Sequence, residues 1–222
     1  GFARLGFWQL ARMHEKEALL ASVQAVLAQR VPRPLALAGD ASRAGEIDWA
    51  AGRGRFADAP AVLLDNQSRN DRPGVRAYRV FLPDAAGVAP LLVELGWLPL
   101  PGDRAMPRVA PIHGDIDVRG LLLPPPSPGL VAATANRASP DAVLATALDA
   151  PQLPPLLGER TLAPRVLRLD PSMKGIGYAR DLDVLPNTLP PSRHLGYAVQ
   201  WFALAAAVLA TAGVLTFRKP RA

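Results

Sequence analysis

Between His194 and Phe217 the chain carries no Asp, Glu, Lys or Arg, a run of 24 residues. As a helix it rises roughly 36 Å at about 1.5 Å per residue, against a bilayer hydrocarbon core of about 30 Å. Leu, Ala and Val dominate the run and no proline interrupts it. A helix in a soluble core rarely stays uncharged over such a length, so residues 193–217 read as a transmembrane helix. Arg218, Lys219 and Arg221 stand in the five residues that follow. Cationic residues favour the cytoplasmic face, which places residues 218–222 in the cytoplasm. The long domain before Arg193 is then expected in the periplasm, with the bacterial inner membrane as the membrane crossed. A domain so placed needs an export signal or a second membrane helix, expected ahead of Gly1; the latter makes the protein multi-pass.

The exported domain has no covalent staples. The sequence holds no cysteine, which excludes disulfides, a thiolate nucleophile and a CxxC redox pair. Stability must come from a hydrophobic core. The net charge is +6, and of 25 basic residues only Lys16, Lys174 and Lys219 are lysine. The arginines are scattered and no nucleic-acid-binding motif accompanies them, so nucleic acid is excluded as a partner. A basic surface suits anionic lipid or acidic partners, and equally plain solubility.

Residues 1–30 read as an amphipathic helix following the expected N-terminal membrane helix. Phe7, Leu10, Met13, Leu20, Val23 and Leu27 recur at helical spacing, with Arg12, Glu15 and Lys16 on a polar side. The prolines of VPRP at 31–34 end it. Residues 31–192 read as a β-rich domain of short apolar runs punctuated by Pro, Gly, Asp and Asn. Candidate strands are Ala61–Leu64, Val75–Leu82, Leu91–Leu98, Ile116–Leu123 and Pro164–Leu169. In LLVELGWL, Leu91, Val93, Leu95 and Trp97 fall on one face, the pattern of a half-buried strand. PDAAGVAP at 83–90 suits a hairpin connection, and PDAVLATALDAPQLPPLL at 140–157 one or two short helices. The fold class expected is α+β: an antiparallel, barrel-like β-rich domain with flanking helices and a C-terminal transmembrane helix.

Catalytic signatures are missing from the sequence. No GxSxG, Walker loop or HExxH occurs, and HEKEA at 14–18 lacks the second histidine. The glycine pairs in GRGRF (52–56) and GIGY (175–178) lack the strand-to-helix setting that phosphate binding needs. His14, His113 and His194 are far apart in sequence. The chain reads as a non-enzyme.

Four stretches, in order, resemble the Surfeit locus protein 1 family of cytochrome c oxidase assembly factors. LGFWQLARMHEK (5–16) is similar to its Leu-Gly-x-Trp-Gln-x-x-Arg-x-x-x-Lys signature. LLDNQSRNDRPGVRAYRVFLP (63–83) is similar to a strand–loop–strand segment, LVELGWLP (92–99) to a Gly-Trp-x-Pro strand, and HLGYAVQWFALA (194–205) to the start of the second membrane helix. The chain departs from the pattern at Glu94-Leu95, where Asn-Arg is frequent, at Gln200 in place of Thr, and at Arg193 in place of Asn.

The resemblance implies a protein with two membrane helices that assists haem–copper cytochrome c oxidase assembly by binding or stabilising haem a for insertion. Its implied partners are the oxidase catalytic subunit, membrane lipid and a haem a synthase. The alternative is a haem-free chaperone or a retained accessory subunit. The histidine of the HxxYA motif, here His194, is the implied axial ligand of the haem iron. Tyr197 and Trp201 follow it at i+3 and i+7 on one helix face, offering aromatic walls to a porphyrin. Arg193 is a candidate partner for a propionate, and Trp8 for the same interface. The same aromatics also suit an interfacial belt. Gly96 and Trp97 read as structural.

Overall fold

A computed structural model of the chain describes residues 1–102, 105–126, 132–149, 151–184 and 190–217. The basic tail Arg218, Lys219 and Arg221 lies outside the described residues. The chain divides into two compact units, Val26–Pro186 and Gly1–Ala25 with Asn187–Ala222.

Turn chemistry organises the larger unit. Asn70 and Asp71 both have positive φ (50° and 58°), as the two central residues of a tight hairpin turn require. Asn and Asp tolerate that conformation better than other non-glycine residues. The turn joins β3 (Ala61–Arg69) to β4 (Arg72–Pro83), with Val62 opposite Tyr78 and Arg69 opposite Arg72. The connection at 84–90 then returns the chain as β5 (Leu91–Pro99), antiparallel to β4.

The remaining strands are β1 (Arg33–Pro34), β2 (Asp48–Phe56), β6 (Asp115–Leu123), β7 (Ala135–Ser139), β8 (Ala142–Ala145) and β9 (Val166–Leu169). A four-residue helix, α2 (Leu153–Leu156), precedes β9. Together the nine strands form one sheet in the order β1-β2-β6-β9-β5-β4-β3-β8-β7, and β2 also pairs with β4. The architecture is therefore α+β with a large sheet.

Two expectations need correction. The sheet is mixed, because β1–β2, β3–β8 and β5–β9 are parallel pairs. Residues 142–145 are not helical: AVLA forms β8 and pairs with β3 from Ala61↔Ala142 to Leu64↔Ala145. GRGRF lies within β2.

β5 is buried along both faces from Leu91 to Trp97, so the half-buried strand expected there is a central one. An irregularity in the β4–β5 register places Ala77 opposite Gly96 but Tyr78 opposite Glu94. At this bulge Gly96 has φ +126°, and a Cβ there would come 2.8 Å from the Ala179 carbonyl oxygen. The backbone of 178–179 docks on this spot: Tyr178 N–H donates to Leu95 O (2.7 Å) and Trp97 N–H to Ala179 O (2.8 Å). Trp97 itself packs over Gly74 and donates its indole N–H to Gln67 O.

The core combines Leu63, Phe81, Leu91, Leu95, Leu122, Leu167 and Leu169, with Phe56 and Phe81 edge to face at 5.2 Å. Within this interior lies Glu94, 1% exposed. Its Oε1 accepts from Arg76, and its Oε2 from Arg168 Nε (3.0 Å) and the Tyr78 hydroxyl (3.1 Å). Burial pushes the Glu94 carboxyl up, but the Arg168 and Arg76 charges outweigh it and hold the group below its ordinary value. Arg165, fully buried, likewise binds Asp48 (2.7 Å) and the carbonyls of Glu46 and Leu37. In both clusters each buried charge faces an opposite one, which offsets much of the cost of burying it.

Candidate functional site

α1 runs Phe2–Gln29, as far as Ala25 in the smaller unit, which also holds α3, Pro191–Phe217. Pro191 opens α3 at the first helical position, where a missing N–H is harmless. α3 is long and apolar enough to cross a membrane, and hardly any of its apolar stretch is buried in the molecule. Among the described residues, thirteen of the fourteen exposed large hydrophobic side chains sit on these two helices, Val31 being the exception. Such an apolar surface belongs against lipid or another protein rather than water.

The helices meet antiparallel. Phe2 stacks on Trp201 (5.7 Å, 16° between planes), Phe7 meets Phe202 edge on (5.2 Å), and Gln9 reaches His194. Gly6 and Ala198 are both buried at this seam, where small residues let backbones approach. A Cβ on Gly6 would lie 2.7 Å from the Phe202 ring. The inward face of α1 at this seam carries Gly6 and Gln9. Phe7, expected on that face, is 65% exposed instead.

His194 is 8% exposed. Its Nδ1 lies 2.7 Å from Gln9 Oε1. An amide oxygen only accepts, so the contact fits the tautomer with its proton on Nδ1, in which Nε2 has a bare lone pair. Nε2 is buried and, among the described residues, has no hydrogen-bond partner. Among the described residues the other buried side-chain nitrogens in that condition are Nε of Arg43, Arg76, Arg79 and Arg165. Each of those guanidinium groups is bonded through its terminal nitrogens, to Asp48, Glu94, two carbonyls and Asp48 respectively. A guanidinium Nε–H is also a donor without a lone pair to offer a metal. Of the five, His194 alone presents an unused acceptor.

The other residues singled out from the sequence are placed differently. Trp201 lies half-buried on Phe2, on the same side of α3 as His194. Tyr197 is 36% exposed and Trp8 54%, while Trp8's neighbours Phe7 and Gln9 make the contacts to α3. Arg193 is exposed, and its backbone N–H donates to Pro190 O. Gln9 was not singled out from the sequence. The available signal was its place in LGFWQLARMHEK, three residues after Gly6 on the inward helix face. Among the described residues no group of three or more His, Asp or Glu is placed to hold a metal ion. The group implied by the resemblance, haem a, asks instead for a single imidazole with an unprotonated nitrogen. His194 meets that requirement.

A large mixed sheet, an N-terminal helix and one membrane-length helix define a membrane protein of α+β type. The SURF1 family model matches residues 1–206. The chain belongs to the SURF1 family, the Surfeit locus protein 1 family, known for cytochrome c oxidase assembly. No curated protein matches the chain.

Proposed function

We propose that this chain serves cytochrome c oxidase assembly as a non-enzymatic factor that holds haem a at His194 for delivery to the catalytic subunit. The observation that carries this reading is the condition of the imidazole: Nδ1 is anchored by Gln9 and Nε2 is left with a free lone pair. Leaving a buried acceptor unpaired costs about 1–3 kcal/mol, and iron ligation is a chemistry that uses it. Haem a is cargo here, a hydrophobic macrocycle whose iron accepts an axial nitrogen. Trp201 and Phe2 supply flat apolar surface one to two turns away along α3, and the exposed aromatics Tyr197 and Trp8 suit the headgroup region. Arg193, free of any described side-chain bond, is the proposed propionate partner.

The membrane-length helix and the basic tail support the proposed topology: the sheet domain in the periplasm, the C-terminus in the cytoplasm and a second membrane helix ahead of residue 1. The pairing series β2–β6–β9–β5–β4–β2 returns to its starting strand, which supports a barrel-like reading of the sheet. Anionic lipid and a haem a synthase are the further partners proposed.

A second reading, a haem-free chaperone or retained accessory subunit, is favoured by the enclosure of Nε2. With the helices seated as they are, a ligand reaches that atom only after its covering groups move. One experiment separates the two. The full-length protein is co-produced with a haem a synthase, purified and scanned optically. Haem a in the wild type and its loss from His194→Ala support the first reading. A haem-free wild type, or undiminished haem in His194→Ala, overturns it.

A further inference from the structure

We propose that Gln9 is the positioning residue for His194, fixing the ring in the tautomer that presents a bare Nε2. Imidazole has two neutral tautomers, and only one of them leaves Nε2 able to bind a metal while Nδ1 faces α1. Free imidazole side chains favour the proton on Nε2, the wrong form for this geometry. The 2.7 Å contact from Nδ1 to Gln9 Oε1 selects the other form, because an amide oxygen gives nothing to an unprotonated nitrogen. The contact is built into the helix pair. Gly6, one turn before Gln9 on the same face, has no side chain and brings α1 close to α3. Gln9 and His194 then bond across the seam, 185 residues apart in sequence. A neutral amide also fits the surroundings better than a carboxylate, since an unpaired anion beside so apolar a surface is costly. Histidine ligands generally donate their second N–H to an acceptor of this kind, and loss of the acceptor weakens metal binding about 10–100-fold.

The use of this tautomer rests on the haem reading, but the tautomer itself is measurable without haem. The full-length protein is labelled with ¹⁵N-histidine and examined haem-free in detergent by NMR. With three histidines in the chain, the His194 signals are assigned by their loss in His194→Ala. Wild type is expected with the proton on Nδ1, and Gln9→Leu, close to glutamine in size, with the proton moved to Nε2. In protein co-produced with a haem a synthase, Gln9→Leu is expected to lose bound haem about 10–100-fold. Gln9→Glu keeps an acceptor and should retain haem with a lowered iron midpoint potential, a change that a purely packing role does not produce.

A wild-type His194 protonated on Nε2 overturns the assignment. So does a Gln9→Leu protein with wild-type tautomer and wild-type haem content. A wild type without haem a whose Nδ1 proton is lost in Gln9→Leu upholds the positioning role and overturns the haem reading alone.

Discussion

Glu94 and His194 are both buried polar side chains inside a packed unit, and their hydrogen bonding differs completely. In the sheet domain both oxygens of Glu94 are taken, by Arg76, Arg168 and Tyr78. In the helix pair only one of the two His194 nitrogens has a partner among the described residues. A closed set of bonds specifies a structure and has no capacity left over. A half-open one is less stable than it could be, and the deficit marks where a ligand gains most.

The sharpest way to break this comparison is to remove the carboxylate. Glu94→Ala strands two guanidinium groups in the core and should cost about 3–5 kcal/mol, read from the denaturant midpoint of the purified protein. A loss under about 1 kcal/mol would mean that the cluster is solvated in practice and that the contrast is false. Next comes Gly120→Ala in β6. Its Cβ would sit 1.9 Å from the Arg168 carbonyl oxygen, so β9 must shift, and a loss of about 1–3 kcal/mol is expected in thermal melts.

Acid should act on the sheet domain through three carboxyls. Burial raises Glu94, Asp48 and Asp170, yet each is held below its ordinary value. Arg168 and Arg76 do this for Glu94, Arg165 and Arg43 for Asp48, and the Ser172 N–H with Arg119 for Asp170. A depressed folded value gives stability that is complete above the unfolded value, 3.8 for Asp and 4.5 for Glu, and is lost as pH falls through the folded value. The denaturant midpoint should therefore be level from about pH 7 to about pH 5 and fall below about pH 4. Glu94→Gln should flatten that acid limb, and an identical limb in both proteins would exclude Glu94 as a contributor.

The smallest effect is expected in the helix pair. Replacing both partners by apolar residues of similar size, Gln9→Leu with His194→Leu, should change thermal stability by less than about 1 kcal/mol. A larger loss would show that His194 is held for the fold, as Glu94 is.

The strands richest in Val, Leu, Tyr and Phe were legible in the sequence: β3 to β6 and β9 all appear near their expected places. β2 was not, because DWAAGRGRF has no β-branched residue and is held by its partners β6 and β4 rather than by propensity. AVLA looked helical because Ala and Leu favour helices, and its parallel pairing with β3 overrides that preference. Alternation in β5 suggested one buried face, since a charged Glu94 argues for solvent when its partners, 16 and more residues away, cannot be seen. At the site, the motif led to His194 but not to Gln9. Only the antiparallel seating of α1 on α3 joins residues so distant.

The sheet is threaded in an order that matters while the chain is being made. β5 and β6 lie on either side of β9, yet among the described residues β9 is the last strand synthesised, at Val166–Leu169, and is only four residues long. Until it emerges, Val93 and Glu94 on one strand and Gly120 to Leu123 on the other lack their neighbour, and the Glu94 carboxylate lacks Arg168. A nascent chain that has completed β6 but stops before residue 166 thus carries two sticky strand edges and an unfilled ionic socket, a state open to aggregation and proteolysis. Folding is completed by a late, short keystone. Only about 20 residues later, α3 begins.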